Sequence, residues 1–165
     1  MPGLFFDDYE TPVYRPPSEA ESFILRVTRG CAHNHCTYCN MYRGVQFEKL
    51  TDEEIMRQIA MAYSVDRDGV RRVFLADGDA LVLETERLLK ILNTLKKYFP
   101  NLERVASYAA PGDILRKSVE ELTQLREAGL QILYYGMESG DSQTLRDIRK
   151  GVDGPQSIEV GKRVR

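Results

Sequence analysis

Glu21-Ser-Phe-Ile-Leu-Arg-Val-Thr-Arg-Gly-Cys-Ala-His-Asn-His-Cys-Thr-Tyr-Cys39 joins an apolar run directly to a loop that carries all three cysteines of the chain. The run from Glu21 to Thr28 has the length and the aromatic and β-branched content of a strand, and Arg29-Gly30 carries it into Cys31, Cys36 and Cys39. The cysteines are therefore placed at the C-terminal end of a strand, where open α/β sheets bind their ligands. Three thiols cannot all pair as disulfides, and nothing at the N-terminus reads as a signal peptide, so the expected compartment is the reducing cytoplasm. Clustered thiolates in that setting point to metal: they are the usual ligands of iron-sulfur clusters and of structural zinc.

Downstream of the cysteines the same pattern recurs. Thr51-Asp-Glu-Glu54 is a capping box, and Ile55, Ile59 and Ala62 follow at helical spacing, giving a helix to about Arg67. Arg72-Val-Phe-Leu-Ala76 is a second strand that stops at Asp77-Gly-Asp79, where Gly78 permits close backbone approach. Leu88, Leu89, Leu92, Leu95 and Phe99 mark a second helix ended by Pro100. The third strand, Arg104 to Ala109, runs into the loop signal Pro111-Gly112. A second capping box at Ser118-Val-Glu-Glu121 opens a helix that stops at Gly129. Leu130 to Tyr135 is the fourth strand, followed by Gly136-Met-Glu-Ser-Gly140, a short helix from Asp141 and a further helix from Gly154-Pro155.

Four alternations of strand and helix, with near-continuous apolar strands, predict an α/β fold with a parallel sheet covered by helices. Residues 1–20, with Pro2, Pro12, Pro16 and Pro17, lack either regular period and are expected to form an extended arm. Residues 21–165 are expected to form a partial (βα) barrel of about four parallel units, truncated at the C-terminus, because a full eight-stranded barrel takes about 250 residues. Its last strand would be an exposed edge, so an oligomer or partner chain is expected to cover it. The βα loops emerge at one edge of such a sheet, which brings the cysteine loop, Asp77-Gly-Asp79, Ser107-Tyr108 and Gly136-Met-Glu138 toward one crevice.

The composition narrows the partners. A chain of 165 residues that is 42% hydrophobic and 29% charged can bury a core, and a net charge of -2 offers no basic field for nucleic acid or an anionic membrane. No apolar run approaches the roughly 20 residues needed to span a bilayer. A small-molecule or protein partner is favoured.

The cysteine loop has other readings. His33 or His35 as a fourth ligand would make a Cys3His zinc site, and the chain would then be a structural or interaction module without catalysis. Cys36-Thr-Tyr-Cys39 could be a dithiol redox pair, which leaves Cys31 unexplained. Free clustered thiols would oxidise readily. The histidines read by default as polar loop residues, Asp77, Asp79 and Glu138 as turn and cap residues, Tyr42 and Tyr108 as surface tyrosines that could also face the same crevice, and Arg43 as a solvated charge.

Taken together, Cys31, Cys36 and Cys39, with the aromatic Tyr38 just before the third, resemble the signature loop of the radical S-adenosylmethionine (radical SAM) superfamily. The usual spacing there is C-x3-C-x2-C; the C-x4-C-x2-C of this chain resembles an uncharacterised subset with a longer first gap. Gly78-Asp79 stands where the superfamily carries a glycine-rich turn that contacts the amino group of SAM. Gly136-Met-Glu138-Ser-Gly140 resembles a segment whose polar residues reach the ribose or carboxylate of SAM, with Glu138 as the match.

The resemblance implies a 4Fe-4S cluster held by the three cysteines, with its fourth iron left open for SAM. It implies cofactor contacts from Tyr38, Gly78, Asp79 and Glu138, and an electron donor such as a flavodoxin or ferredoxin. The implied reaction is reductive cleavage of SAM to a 5'-deoxyadenosyl radical that abstracts hydrogen from a substrate. No side chain is singled out as catalytic, because that chemistry belongs to the cofactors.

Overall fold

The computed structural model describes residues 13–165; the first part of the expected arm, residues 1–12, lies outside them. In chain order the elements are β1 (Phe23–Arg26), β2 (Thr28–Arg29), β3 (Glu48–Lys49), α1 (Asp52–Asp66), β4 (Arg72–Ala76) and α2 (Thr85–Tyr98). They continue with β5 (Arg104–Tyr108), α3 (Pro111–Arg116), α4 (Val119–Glu127), β6 (Leu130–Tyr134), α5 (Ser142–Asp147) and α6 (Gly154–Arg163).

The four long strands form one sheet in the order β1-β4-β5-β6. Every pairing is parallel, with Leu25 beside Leu75 and Leu75 beside Ser107. Alternation along each strand sorts the sheet into two faces. Phe23, Leu25, Val73, Leu75, Val105 and Leu130 join the helices in the main core, with Ile55, Ile59, Leu88, Leu92, Leu95 and Leu125. Ile24, Phe74, Ala76 and Ala106 face the other way and pack with Tyr108, Ile132 and Tyr134. This is the α/β architecture expected from the alternation, and among the described residues no helix is long and apolar enough to cross a membrane.

Local signals act where they were read. Thr51 accepts from the Glu54 amide while Glu54 reaches back to the Thr51 amide, and Ser118 and Glu121 do the same for α4. Each such N-cap contributes about 1 kcal/mol, because it satisfies amides that the first turn leaves without partners.

Two features depart from the expectation. The first strand is interrupted after Arg26, and Thr28–Arg29 turns aside to pair antiparallel with Glu48–Lys49, which closes the base of the cysteine loop. Pro111-Gly112 opens α3 instead of a loop, since proline at the first helical position gives up an amide that would have had no partner.

The second sheet face is covered from below. Val13 packs against it, and Glu19, fully buried, receives hydrogen bonds from the Tyr134 hydroxyl (2.6 Å), Arg104 (2.7 Å) and the Ser22 hydroxyl (2.5 Å). Burial pushes the Glu19 carboxyl up, but the three donors outweigh it and hold it below the ordinary range.

Candidate metal and cofactor site

The C-terminal ends of the four parallel strands open into one cavity of about 730 Å³. Cys31, Cys36, Tyr38 and Cys39 line it from the loop after β1, Gly78 from the turn after β4, Tyr108 to Asp113 from β5 and α3, and Gly136 and Glu138 from the segment after β6. All three cysteines are free and partly exposed. The convergence expected from the βα order is thus present, and Tyr42 and Tyr108, read by default as surface tyrosines, also line the cavity.

A buried ion pair ties the first two loops together. Arg26 donates to Asp77 Oδ2 through Nη2 (2.7 Å) and Nε (3.0 Å), and the Gly30 amide donates to the same oxygen at 3.0 Å. The Gly78 amide then donates to the Gly30 carbonyl at 3.1 Å. A β-carbon on Gly78 would stand 2.8 Å from Cys31 Cβ and 3.0 Å from Cys31 Cα, so only glycine lets this turn lie against the cysteine loop. Arg43, read as a solvated charge, donates instead to the carbonyls of Cys36 (3.2 Å) and Cys39 (3.3 Å).

Glu138 and Tyr38 meet across the cavity through Lys150, which sequence reasoning did not single out. Its ammonium donates to Glu138 Oε1 at 3.0 Å and to the Tyr38 hydroxyl at 3.3 Å. Burial pushes the Glu138 carboxyl up, but the Tyr38 hydroxyl and the Lys150 ammonium outweigh it, so the group sits below its ordinary value and is ionised at neutral pH. Burial pushes the Cys36 thiol up, with Lys150 opposing and the other two cysteines adding to the rise.

Asp79 occupies a different setting. It is 1% exposed, its Oδ1 accepts from the Leu81 amide at 2.8 Å, and its Oδ2 has no hydrogen-bond partner. Burial raises its carboxyl from 3.8 to about 7, against the opposing effect of backbone donors and of Arg116 and Lys117. The folded chain therefore holds a proton that the unfolded chain releases between about pH 4 and pH 7. Stability falls as pH rises through that window, by at most about 4 kcal/mol over the whole of it. Denaturant unfolding at about pH 5 and about pH 8 is expected to show the loss, and Asp79→Asn is expected to flatten it.

The donor set is of the kind that an iron-sulfur cluster takes. His33 Nε2 lies 2.7 Å from the Arg149 carbonyl, and the ring packs edge-on against His35 at 5.7 Å, so that nitrogen is already engaged. Among the described residues no group of three or more His, Cys, Asp and Glu side chains is positioned to hold one metal ion. Three soft thiolates from one loop, bordering a cavity and backed by a glycine with no room for a side chain, fit an iron-sulfur cluster whose corners take separate ligands.

A family model described as the Radical SAM superfamily matches residues 25–165. The chain belongs to the radical SAM superfamily. Solved structures share the fold. The cobalamin-dependent S-adenosylmethionine radical enzyme OxsB, with aqua-cobalamin and S-adenosylmethionine bound, superimposes with a TM-score of 0.71 at 21% identity, over 87% of this chain and 22% of that one. Methylornithine synthase, PylB, does so with a TM-score of 0.61 at 18% identity, over 86% of this chain and 40% of that one. A protein of Methanocaldococcus jannaschii named "Putative methylthiotransferase MJ0865" is 20% identical over 147 residues. The radical SAM chain described here spans 31% of the length of that relative and 22% of the length of OxsB.

Proposed function

We propose that this chain is the cluster-holding and SAM-holding part of an iron-sulfur enzyme that cleaves SAM reductively and abstracts hydrogen from a small-molecule substrate. The observation that carries the reading is the arrangement of three free thiols, Gly78, Tyr38 and Glu138 around one cavity at the C-terminal edge of a parallel sheet. Membership in the superfamily and the shared fold support it.

In this reading Cys31, Cys36 and Cys39 ligate a 4Fe-4S cluster. When bound, the cluster and SAM supply one-electron cleavage of a sulfonium C–S bond, with the electron drawn from a donor such as flavodoxin or ferredoxin. The protein's own work is holding and orienting. Tyr38 offers a ring at the cavity wall and Gly78 offers close backbone approach. Glu138 offers an ionised acceptor for a hydroxyl or ammonium group. Asp79 caps the short 3-10 turn Ala80–Val82 that follows Gly78. Tyr108, Tyr134, Phe47 and Val82 add apolar surface to a wall that also carries Asp113 and Arg116.

The experiment is anaerobic reconstitution with iron and sulfide. The chain is expected to turn brown, to take up iron and sulfide in equal amounts, and to release methionine and 5'-deoxyadenosine from SAM under a strong reductant. A chain that retains zinc and takes up no iron would overturn the proposal.

A further inference from the structure

The loop that carries the cysteines has little regular structure of its own. Between Gly30 and Glu48 it forms turns only, held within the loop by Val45 N and Asn34 Nδ2 on the Tyr42 carbonyl at 3.0 Å each, by Arg43 on the carbonyls of Cys36 and Cys39, and by Cys39 N to Cys36 O at 3.4 Å. Its shape is supported as well from the turn that follows α5, more than a hundred residues further along the chain. The Thr37 amide donates to the Ile148 carbonyl at 3.0 Å. His33 Nε2 contacts the Arg149 carbonyl at 2.7 Å, and the Lys150 ammonium reaches the Tyr38 hydroxyl at 3.3 Å. At Gly151 a β-carbon would stand 2.9 Å from the His33 ring.

The geometry of the turn explains why its carbonyls are available. The Lys150 amide donates back to the Leu145 carbonyl at 2.9 Å and the Arg149 amide to the Arg146 carbonyl at 3.0 Å, the double bond of a Schellman end. Arg149 takes the left-handed position that this motif requires, at φ 56°, and Gly151 follows at φ 84°. That reversal directs the carbonyls of Ile148 and Arg149 outward to the cysteine loop. It also brings the Lys150 side chain, only 11% exposed, back between Tyr38 and Glu138.

We propose that residues 148–151 form a clasp that sets the shape of the cysteine loop, with Lys150 as its positioning residue. Two backbone acceptors fix the loop at His33 and Thr37, and one ammonium fixes Tyr38 to Glu138. The three thiols are thereby presented to the cavity from a loop braced both by its own bonds and by a distant turn. The assignment of a cluster to those thiols rests on the function proposed above; the clasp itself does not.

Hydrogen exchange on the chain without iron separates the two. Lys150→Met, which keeps the aliphatic stem, and Gly151→Ala are each expected to speed exchange of the Thr37 and Cys39 amides about tenfold, with the amides of α2 unchanged. Lys150→Arg is expected to restore most of the protection. In reconstituted protein, iron release to a chelator is expected to quicken in the same order. Unchanged exchange at Thr37 in both variants would overturn the clasp, and so would equal acceleration in α2, which would make these residues general stabilisers. A chain that takes up no iron yet shows the expected exchange would overturn the cluster and leave the clasp standing.

Discussion

Replacing any one of Cys31, Cys36 and Cys39 with serine is expected to reduce iron retained after anaerobic reconstitution to near background and to abolish release of 5'-deoxyadenosine. The reason lies in the number of ligands available. The three thiols are all the cysteines the chain has, and they share one loop bordering one cavity, so no other thiol can move in as a substitute. A hydroxyl is a far poorer ligand for iron than a thiolate, and a cluster that already leaves one corner without a protein ligand would be left with two. The fold should survive each substitution, because all three side chains are partly exposed and lie outside the core. Iron and sulfide analysis with circular dichroism therefore separates loss of the site from loss of the structure. Iron retained at the unmodified level in all three variants would remove the cysteines from the ligand set.

The elements that carry the sheet were legible because each is announced locally. Thr51 with Glu54 and Ser118 with Glu121 are caps whose partners lie three residues apart, and the apolar runs at 72–76 and 130–134 are long enough for a buried strand. The placement of the cysteines at the end of the first strand followed from adjacency in sequence alone. What escaped the sequence depends on partners far away in the chain. Lys150 sits in a polar segment after a short helix, where a solvated lysine is the ordinary expectation, and only the fold brings it to Tyr38, 112 positions away. The two-residue pairing of Thr28–Arg29 with Glu48–Lys49 is too short to leave a periodic pattern. Pro111-Gly112 misled for a different reason: the same proline that ends a helix when it lies inside one is a good first residue when it lies at the start. Tyr42 was read by default as a surface residue, yet it is 4% exposed, because Tyr14 packs edge-on against it at 5.4 Å and covers it from a segment with no regular period.

Asp77→Ala is expected to destabilise the chain by about 3–5 kcal/mol, the cost of leaving one member of a buried ion pair without the other. The side chains of Arg26 and Asp77 are 4% and 0% exposed, and Arg26 stands on the second face of the sheet at the end of β1, among apolar residues. Desolvation pushes the Asp77 carboxyl up, and the Arg26 guanidinium and the Gly30 amide oppose that rise. Alanine at this position removes one carboxylate acceptor from a guanidinium that is 4% exposed. The same substitution takes the acceptor from the Gly30 amide, the residue from which the cysteine loop departs. The effect should thus be read twice. Denaturant unfolding should show a midpoint lowered by the full amount with little change in slope, because the area exposed on unfolding is unaltered. In protein that remains folded at low temperature, the cysteine loop should also retain iron less well. Arg26→Met combined with Asp77→Ala replaces both charges by apolar groups and is expected to recover much of the stability, since a buried pair gains little over well-packed apolar side chains. It should not restore the anchor at Gly30, so iron retention should stay low while the midpoint rises. Recovery of both together would assign the pair to stability alone, whereas recovery of the midpoint alone would show that Asp77 also holds the cysteine loop to the sheet.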